Sequence, residues 1–335
     1  MEEQDLKPRL RNGVAGEGDS TAVADVAVRK AGAVRLERAM TAGEAAGLVL
    51  RECLEQISAN ARAILSSDDP EGPHQLRIGL RRLRSALSIF GKVTDSETRK
   101  VLASEARWLG REAGKVRDVD VILAEMVRPL ARVRPDDKGA VALAKSVEAR
   151  AALLRRALRR TLSGPRAGAF LRDLEVWVET APWMTADDAD QAKWRAVPVR
   201  GLAGVKLEKR WKKTRAHARK IDRLTLEQRH ELRKELKKLR YAAEFLGPLH
   251  PRKKVAPFLA HLKSLQDVFG ALNDTRMAET WFAEDSAGAD ADPAVQRAIG
   301  RLLGAKAMEA ETAWTHARTL WKDLKRTPVF WKKPG

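Results

Sequence analysis

The sequence has almost no cysteine. Among its 335 residues, Cys53 is the single one. One cysteine excludes a disulfide framework within the chain and a cysteine-based zinc site. It fits a reducing compartment, so we expect a cytoplasmic protein. Because Cys53 lies in the apolar pattern LVLRECLEQI, we predict that it is a small core residue.

Long apolar runs are also missing. None reaches the roughly 18–20 residues that a membrane-spanning helix needs, so we expect no membrane partner. The first residues, MEEQDLKPRL, contain no apolar core of a secretory signal. Small and polar residues with several glycines predict a disordered tail over residues 1–40, and residues 326–335 are expected to form a loose tail.

Negative charge is scarce relative to positive charge. The chain has 64 Lys and Arg against 45 Asp and Glu, a formal net charge of +19, and its pI is about 10.3. Such an excess indicates a polyanionic partner, which could be nucleic acid, an anionic membrane or a polyphosphate. Charge alone does not choose among them.

Strand-like alternation is absent, and Ala, Leu, Arg, Glu and Lys dominate after residue 40, which predicts an all-α fold. Glycine and proline mark the joints between helices. The predicted helices are 41–66, 73–90, 95–131, 137–163, 199–222, 226–246, 253–285 and 291–325. We therefore expect one domain over residues 41–325, made of a first half (41–165), a linker (166–198) and a second half (199–325).

A repeated motif relates the two halves. HQLRIGLRRLR starts at His74, and HELRKELKKLR starts at His230, 156 residues later. Asp118 and Asp274 match at the same offset. The recurrence predicts an internal duplication, with two pseudo-symmetric four-helix bundles.

Each repeated helix carries its cations on one face. With 100° per residue, the first set falls within an arc of about 80°, away from the leucines. Each set spans ten residues, about 15 Å of helix, which suits a row of anionic groups. No acidic residue lies in the first set, whereas ordinary solvated faces mix both signs. The two sets are His74, Arg77, Arg81 and Arg84, and His230, Arg233, Lys237 and Arg240.

The helix starts favour an anion as well. Pro73 suits a first helical position, and Thr225 with Gln228 has capping-box spacing. The free N–H groups there attract negative charge, and a histidine beside them donates one N–H when neutral and two when protonated.

Other residues could extend the site. Arg107 and Lys263 correspond at the offset of 156 and are candidate ligands, as is Arg117. We expect Asp118 and Asp274 to hold a nearby arginine rather than to catalyse.

The motifs HQLRIGLRRLRSAL with RDVDV, and HELRKELKKLRYAAEFL with LQDVFGALND, resemble the CHAD family of α-helical domains with characteristic histidines. The resemblance covers roughly residues 40–325. It implies two four-helix bundles related by a pseudo-twofold axis, with a basic surface and pore that bind inorganic polyphosphate. The two sets of cations above would be its ligands. One departure is that Asn273 stands where the first half has Arg117.

Three functions are compared. The leading hypothesis is non-enzymatic binding of polyphosphate, with no cofactor. A nucleic-acid-binding protein is the alternative, although five of the nine tryptophans lie in apolar helical patterns that predict core positions (Trp108, Trp177, Trp281, Trp314 and Trp321). The third is an enzyme with a phosphoacceptor histidine or a metal, but each motif has one histidine and no His-x-x-x-His pair. No Glu-x-Glu-x-Lys pattern of a CYTH triphosphatase appears, so we do not infer hydrolysis.

Overall fold

The computed structural model describes residues 27–284 and 292–332. This part of the chain is all-α, as predicted. A π-helical turn at Leu123–Val127 joins α3 to α4. The helices are α1 (Ala42–Ser66), α2 (Glu71–Ile89), α3 (Glu97–Ile122), α4 (Arg128–Val133), α5 (Lys138–Ser163), α6 (Pro165–Thr180), α7 (Ala189–Ala196), α8 (Val199–His217), α9 (Leu226–Leu246), α10 (Arg252–Glu284) and α11 (Pro293–Arg326).

Local sequence sets the starts of the two motif helices. Thr225 and Gln228 form the expected capping box, which satisfies the backbone at the start of α9. Helix α2 begins at Glu71, so Pro73 is its third residue and not its first. Proline is tolerated there because the first four N–H groups of a helix have no intrahelical acceptor.

The long helices form two groups that meet through equivalent members. In the first half, α1, α2, α3 and α5 pack on one another; in the second, α8 packs on α9, α9 on α10, and α10 on α11. Between the halves, α2 contacts α9, α3 contacts α10, and α5 contacts α11. The two helices of each pair are counterparts in the repeat, since their positions differ by about 156 residues. Contacts between counterparts are what an approximate twofold axis between the halves would require. The α2–α9 contact brings the two basic helices side by side.

The segment predicted as a linker is largely helical. Helices α6 and α7 occupy most of it, and α6 packs against α1, α3 and α5. The side chains of Phe170, Leu174 and Trp177 are buried in the main core. The apolar period of α6 therefore joins this helix to the core of the first half.

Both predicted tails are partly ordered. Residues 1–26 of the N-terminal tail lie outside the described residues, but Val34 and Leu36 are buried in the main core. Arg29 forms an ion pair with Glu52 of α1 at 2.9 Å. At the other end, two aromatic side chains, Phe330 and Trp331, are buried in the main core. A few large apolar side chains suffice to fix short segments whose remaining composition is polar.

The core has a main cluster shared by both halves and a smaller one where α3, α5, α10 and α11 meet. Cys53 is fully buried in the main cluster, as predicted, and burial raises the pKa of its thiol to about 12. Three of the five tryptophans are buried, namely Trp177, Trp314 and Trp321. Trp108 and Trp281 are partly buried against the clusters. The aromatic side chains therefore serve packing.

Candidate polyanion site

A basin of about 1280 Å³ lies between the motif helices. Helix α2 contributes His74, Arg77 and Arg81, and α9 contributes Arg233 and Lys237. The apolar residues on the opposite face of each helix are buried in the core. The cationic face of each helix therefore points away from the core and lines the basin. Two stripes that are 156 residues apart in sequence thus line one cavity.

The basin has a net positive lining. Among the described residues, nine Lys and Arg side chains and five carboxylates line it, a formal excess of four positive charges when Lys237 is counted as charged. The acids come mainly from α3 and α10, whereas the motif stripes have none. The cations are Lys30, Arg77, Arg81, Arg82, Arg117, Arg233, Lys237, Arg240 and Arg252.

One arginine in each half is held by a partner on the neighbouring helix. Arg77 Nη1 donates to Asp118 Oδ1 at 2.6 Å and to the carbonyl oxygen of Gly114 at 3.0 Å. Arg233 Nη1 donates instead to Asn273 Oδ1 at 2.8 Å. The predicted anchoring role of the aspartate therefore holds for the first half, but in the second half the direct partner is Asn273. The sequence shows that Asn273 stands where the first half has Arg117, but this difference does not identify the partner of Arg233.

Several cations of the basin repel one another. Arg81 and its counterpart Lys237 form no hydrogen bond or ion pair with another described residue. Burial, followed by repulsion from Arg81, Arg233 and Arg77, lowers the pKa of Lys237 to about 6. Burial and the charge of Arg81 also lower the pKa of Arg233 to about 10. The desolvated cations lack enough counter-charge, which a bound anion would supply.

The two histidines occupy different positions. His74 lines the basin, whereas His230 lies beside it and lines an adjoining cavity of about 500 Å³ with Lys115 and Arg276. Burial and neighbouring cations lower the pKa of both rings, so both are neutral near pH 7. Neither ring has a hydrogen bond within the described part of the chain, which leaves its N–H available to an anion.

The remaining predicted ligands are dispersed. Arg84 and Arg107 line a groove of about 400 Å³ between α2 and α3. Arg117 lines the basin and lies 3.8 Å from Glu125. Lys263 is exposed and lines neither basin nor groove.

Arg240 lines the basin but is engaged by protein groups. Its Nε donates to Glu244 at 2.6 Å, and its Nη1 donates to Gln266 at 3.2 Å. Arg82, off the stripe, is buried and lies 3.7 Å from the same Glu244 carboxylate. The guanidinium of Arg82 also stacks on Phe245, 4.8 Å from the ring centre. These contacts tie α2 to α9.

Five cations that line the basin or the α2–α3 groove are not among the predicted ligands, namely Lys30, Arg82, Arg111, Lys115 and Arg252. Lys30 and Arg252 line the basin, and Arg111 lines the α2–α3 groove. Lys30 lies in the segment that was expected to be disordered, and Arg252 precedes the predicted start of its helix. Arg111 lies four residues after Arg107, a spacing that places both on one helix face.

In residues 27–284 and 292–332, no group of three or more His, Cys, Asp or Glu side chains could hold a metal ion. Within the same ranges, no helix combines the length and apolar character needed to cross a membrane.

The chain is similar to a known protein family and to solved structures. A family model described as the CHAD domain matches residues 48–283. The crystal structure of the CHAD domain from the plant Ricinus communis is 30% identical with a TM-score of 0.71, covering 91% of this chain and 99% of that chain. PptA from Streptomyces chartreusis has a TM-score of 0.59 over 84% of this chain and 99% of its own, and at 17% identity this likeness shows the fold alone. No match was found among curated proteins. The chain belongs to the CHAD domain family.

Proposed function

We propose that the protein binds inorganic polyphosphate in the basin between α2 and α9, without chemical turnover. The observation that carries the proposal is that Arg81 and Lys237 line one cavity, and that neither forms an ion pair with another described residue. Phosphate oxygens would accept charge-assisted hydrogen bonds from these groups and offset their repulsion. Membership of the CHAD family, which is associated with polyphosphate, agrees with this ligand.

The geometry favours a linear chain of phosphates over nucleic acid. The basin is walled by two helices whose stripes are each about 15 Å long. A polyphosphate chain has no bases or sugars and can place every group against the cations. Nucleic acids bind through aromatic platforms or groove-reading elements, and the tryptophans here serve the core.

Binding without turnover is favoured by the state of the carboxylates. Asp118 already accepts from Arg77, and Glu244 accepts from Arg240. These groups act as anchors for cations. We therefore expect no release of orthophosphate when the protein is incubated with polyphosphate and Mg²⁺. We also propose that binding takes place in the cytoplasm, in association with polyphosphate granules.

The proposal is tested by titrating the protein with long-chain polyphosphate, duplex DNA and single-stranded RNA at equal ionic strength and equal phosphate concentration. The expected result is tighter binding of polyphosphate, with an affinity that falls steeply as salt is added. Equal or tighter binding of either nucleic acid would overturn the assignment.

A further inference from the structure

The two halves differ in the groove that leads away from the basin. In the first half, the α2–α3 groove shares Arg77, Arg81 and Asp118 with the basin lining. A polyanion could therefore pass from one cavity to the other without leaving cationic surface. Beyond the shared residues, the groove is lined by the cations Arg84, Arg107, Arg111 and Lys115.

Three of these cations are not neutralised by the protein. Arg84, Arg107 and Arg111 form no hydrogen bond or ion pair with another described residue. Lys115, in contrast, pairs with Glu112 at 2.8 Å. Desolvation, then repulsion from Arg107, Arg81 and Arg111, lowers the pKa of Arg84. An anion in this groove would thus meet donors that are free.

The equivalent surface of the second half lacks these unpaired arginines. At the offset of 156, Glu244 replaces Ser88, Gln266 replaces Gly110, and Asp267 replaces Arg111. Glu244 and Gln266 both accept from Arg240, the counterpart of Arg84. The second half therefore offers an engaged arginine and an added acid where the first half offers free arginines.

From this difference we infer that the α2–α3 groove is an exit site for the part of a linear polyphosphate that extends beyond the basin. The equivalent surface of the second half, whose Arg240, Gln266 and Asp267 line the basin itself, provides no such continuation. Arg84, Arg107 and Arg111 then select long chains over short ones. The inference rests on the proposed function, since it assumes that the basin holds the first part of the chain.

The test compares the same charge reversal at equivalent positions. Arg107→Asp changes the groove, and Lys263→Asp makes the identical change on the exposed second-half counterpart. Each full-length variant is titrated with tripolyphosphate and with long-chain polyphosphate. Arg107→Asp should weaken long-chain binding about tenfold, the size of one charge-assisted contact. Its salt slope should flatten by roughly 0.7 per lost contact, as for single-stranded nucleic acids. Tripolyphosphate binding should match that of Lys263→Asp.

If charge reversal disturbs the folding of α3, neutral substitutions give the same comparison. Arg107→Gln with Arg111→Gln keeps good helix formers and removes two donors, with Lys263→Gln as the control. Equal loss of long-chain affinity in groove and control variants overturns the inference, as does equal loss for short and long chains. In both cases basin binding by the wild type still stands. Failure of the wild type to bind either probe would instead overturn the proposed function and the inference with it.

Discussion

Lys237 occupies the most unfavourable electrostatic position in the basin. It is desolvated and faces Arg81, Arg233 and Arg77, so the pKa of its amine lies near 6 instead of the usual 10.5. In the free protein the amine is therefore largely neutral at pH 7. A polyanion beside it favours the charged form and raises its pKa again.

The proposed binding of polyphosphate should therefore take up protons. Between the free and bound pKa values, each bound chain brings a proton onto Lys237, so affinity falls as pH rises from about 6 toward the bound-state pKa. Calorimetry at pH 8 in buffers of different ionisation enthalpy measures this uptake directly.

Lys237→Arg is the matched control for proton uptake, because arginine stays charged throughout the range. In that variant the uptake at pH 8 should disappear while binding persists. Uptake that remains at lower pH would belong to His74 and His230, because burial and nearby cations lower the pKa of both rings. Equal uptake by wild type and variant at pH 8 would contradict the role given to Lys237.

In the absence of ligand, Lys237 should lower the free energy of unfolding. A depressed lysine pKa means that the unfolded chain binds more protons, so the free protein loses stability as pH falls from about 10 to 6. Lys237→Met should raise the unfolding free energy at pH 7 by about 0.5–2 kcal/mol. The difference in Tm from wild type should grow as pH falls. A variant that is less stable than wild type at pH 7 would count against the repulsion described here.

At the scale of elements, α3 and α10 carry a matched pair of glycines. A Cβ at Gly114 would lie 3.1 Å from Nη1 of Arg77, whereas a Cβ at Gly270 would meet nothing within 4 Å. Gly114 therefore permits the close approach of Arg77 to its backbone carbonyl, and α10 has no such need.

Alanine at the two positions should give different results. Gly270→Ala should stabilise the protein by about 0.5–1 kcal/mol through helix propensity. Gly114→Ala should stabilise the protein less than Gly270→Ala does. It should also bind polyphosphate more weakly, because Arg77 must move away from Asp118. Chemical denaturation and titration of both variants measure this, and identical effects on stability and affinity would show that the approach of Arg77 is unimportant.

Helix periodicity accounts for how well the elements were predicted. The cationic faces of α2 and α9 and the capping box at Thr225 follow from local spacing and local hydrogen bonds. The partner of Arg233 did not follow, because the choice between Asn273 and Asp274 depends on how α10 is rotated against α9. The order of residues 27–40 was also missed, since it depends on contacts of Arg29 and Val34 with a distant helix.

For the whole molecule, the net charge of +19 attracts any polyanion at long range. Such attraction is screened over about 8 Å at physiological ionic strength and does not by itself select a ligand. Selection requires donors fixed in one place, and the basin provides them where α2 of one half meets α9 of the other. The offset of 156 in the sequence indicated two related stripes, and the contact between those helices explains how they form one site.

The central claim is that polyphosphate binds in the basin and not generally to basic surface. The direct test replaces two basin residues, Arg81→Gln with Lys237→Gln. The comparison is Lys145→Gln with Lys322→Gln, which replaces two exposed lysines of the same formal charge. Long-chain polyphosphate is titrated against both variants at physiological salt. Our account predicts a loss of at least about tenfold for the basin variant and little change for the surface variant. Equal losses in the two variants would contradict it.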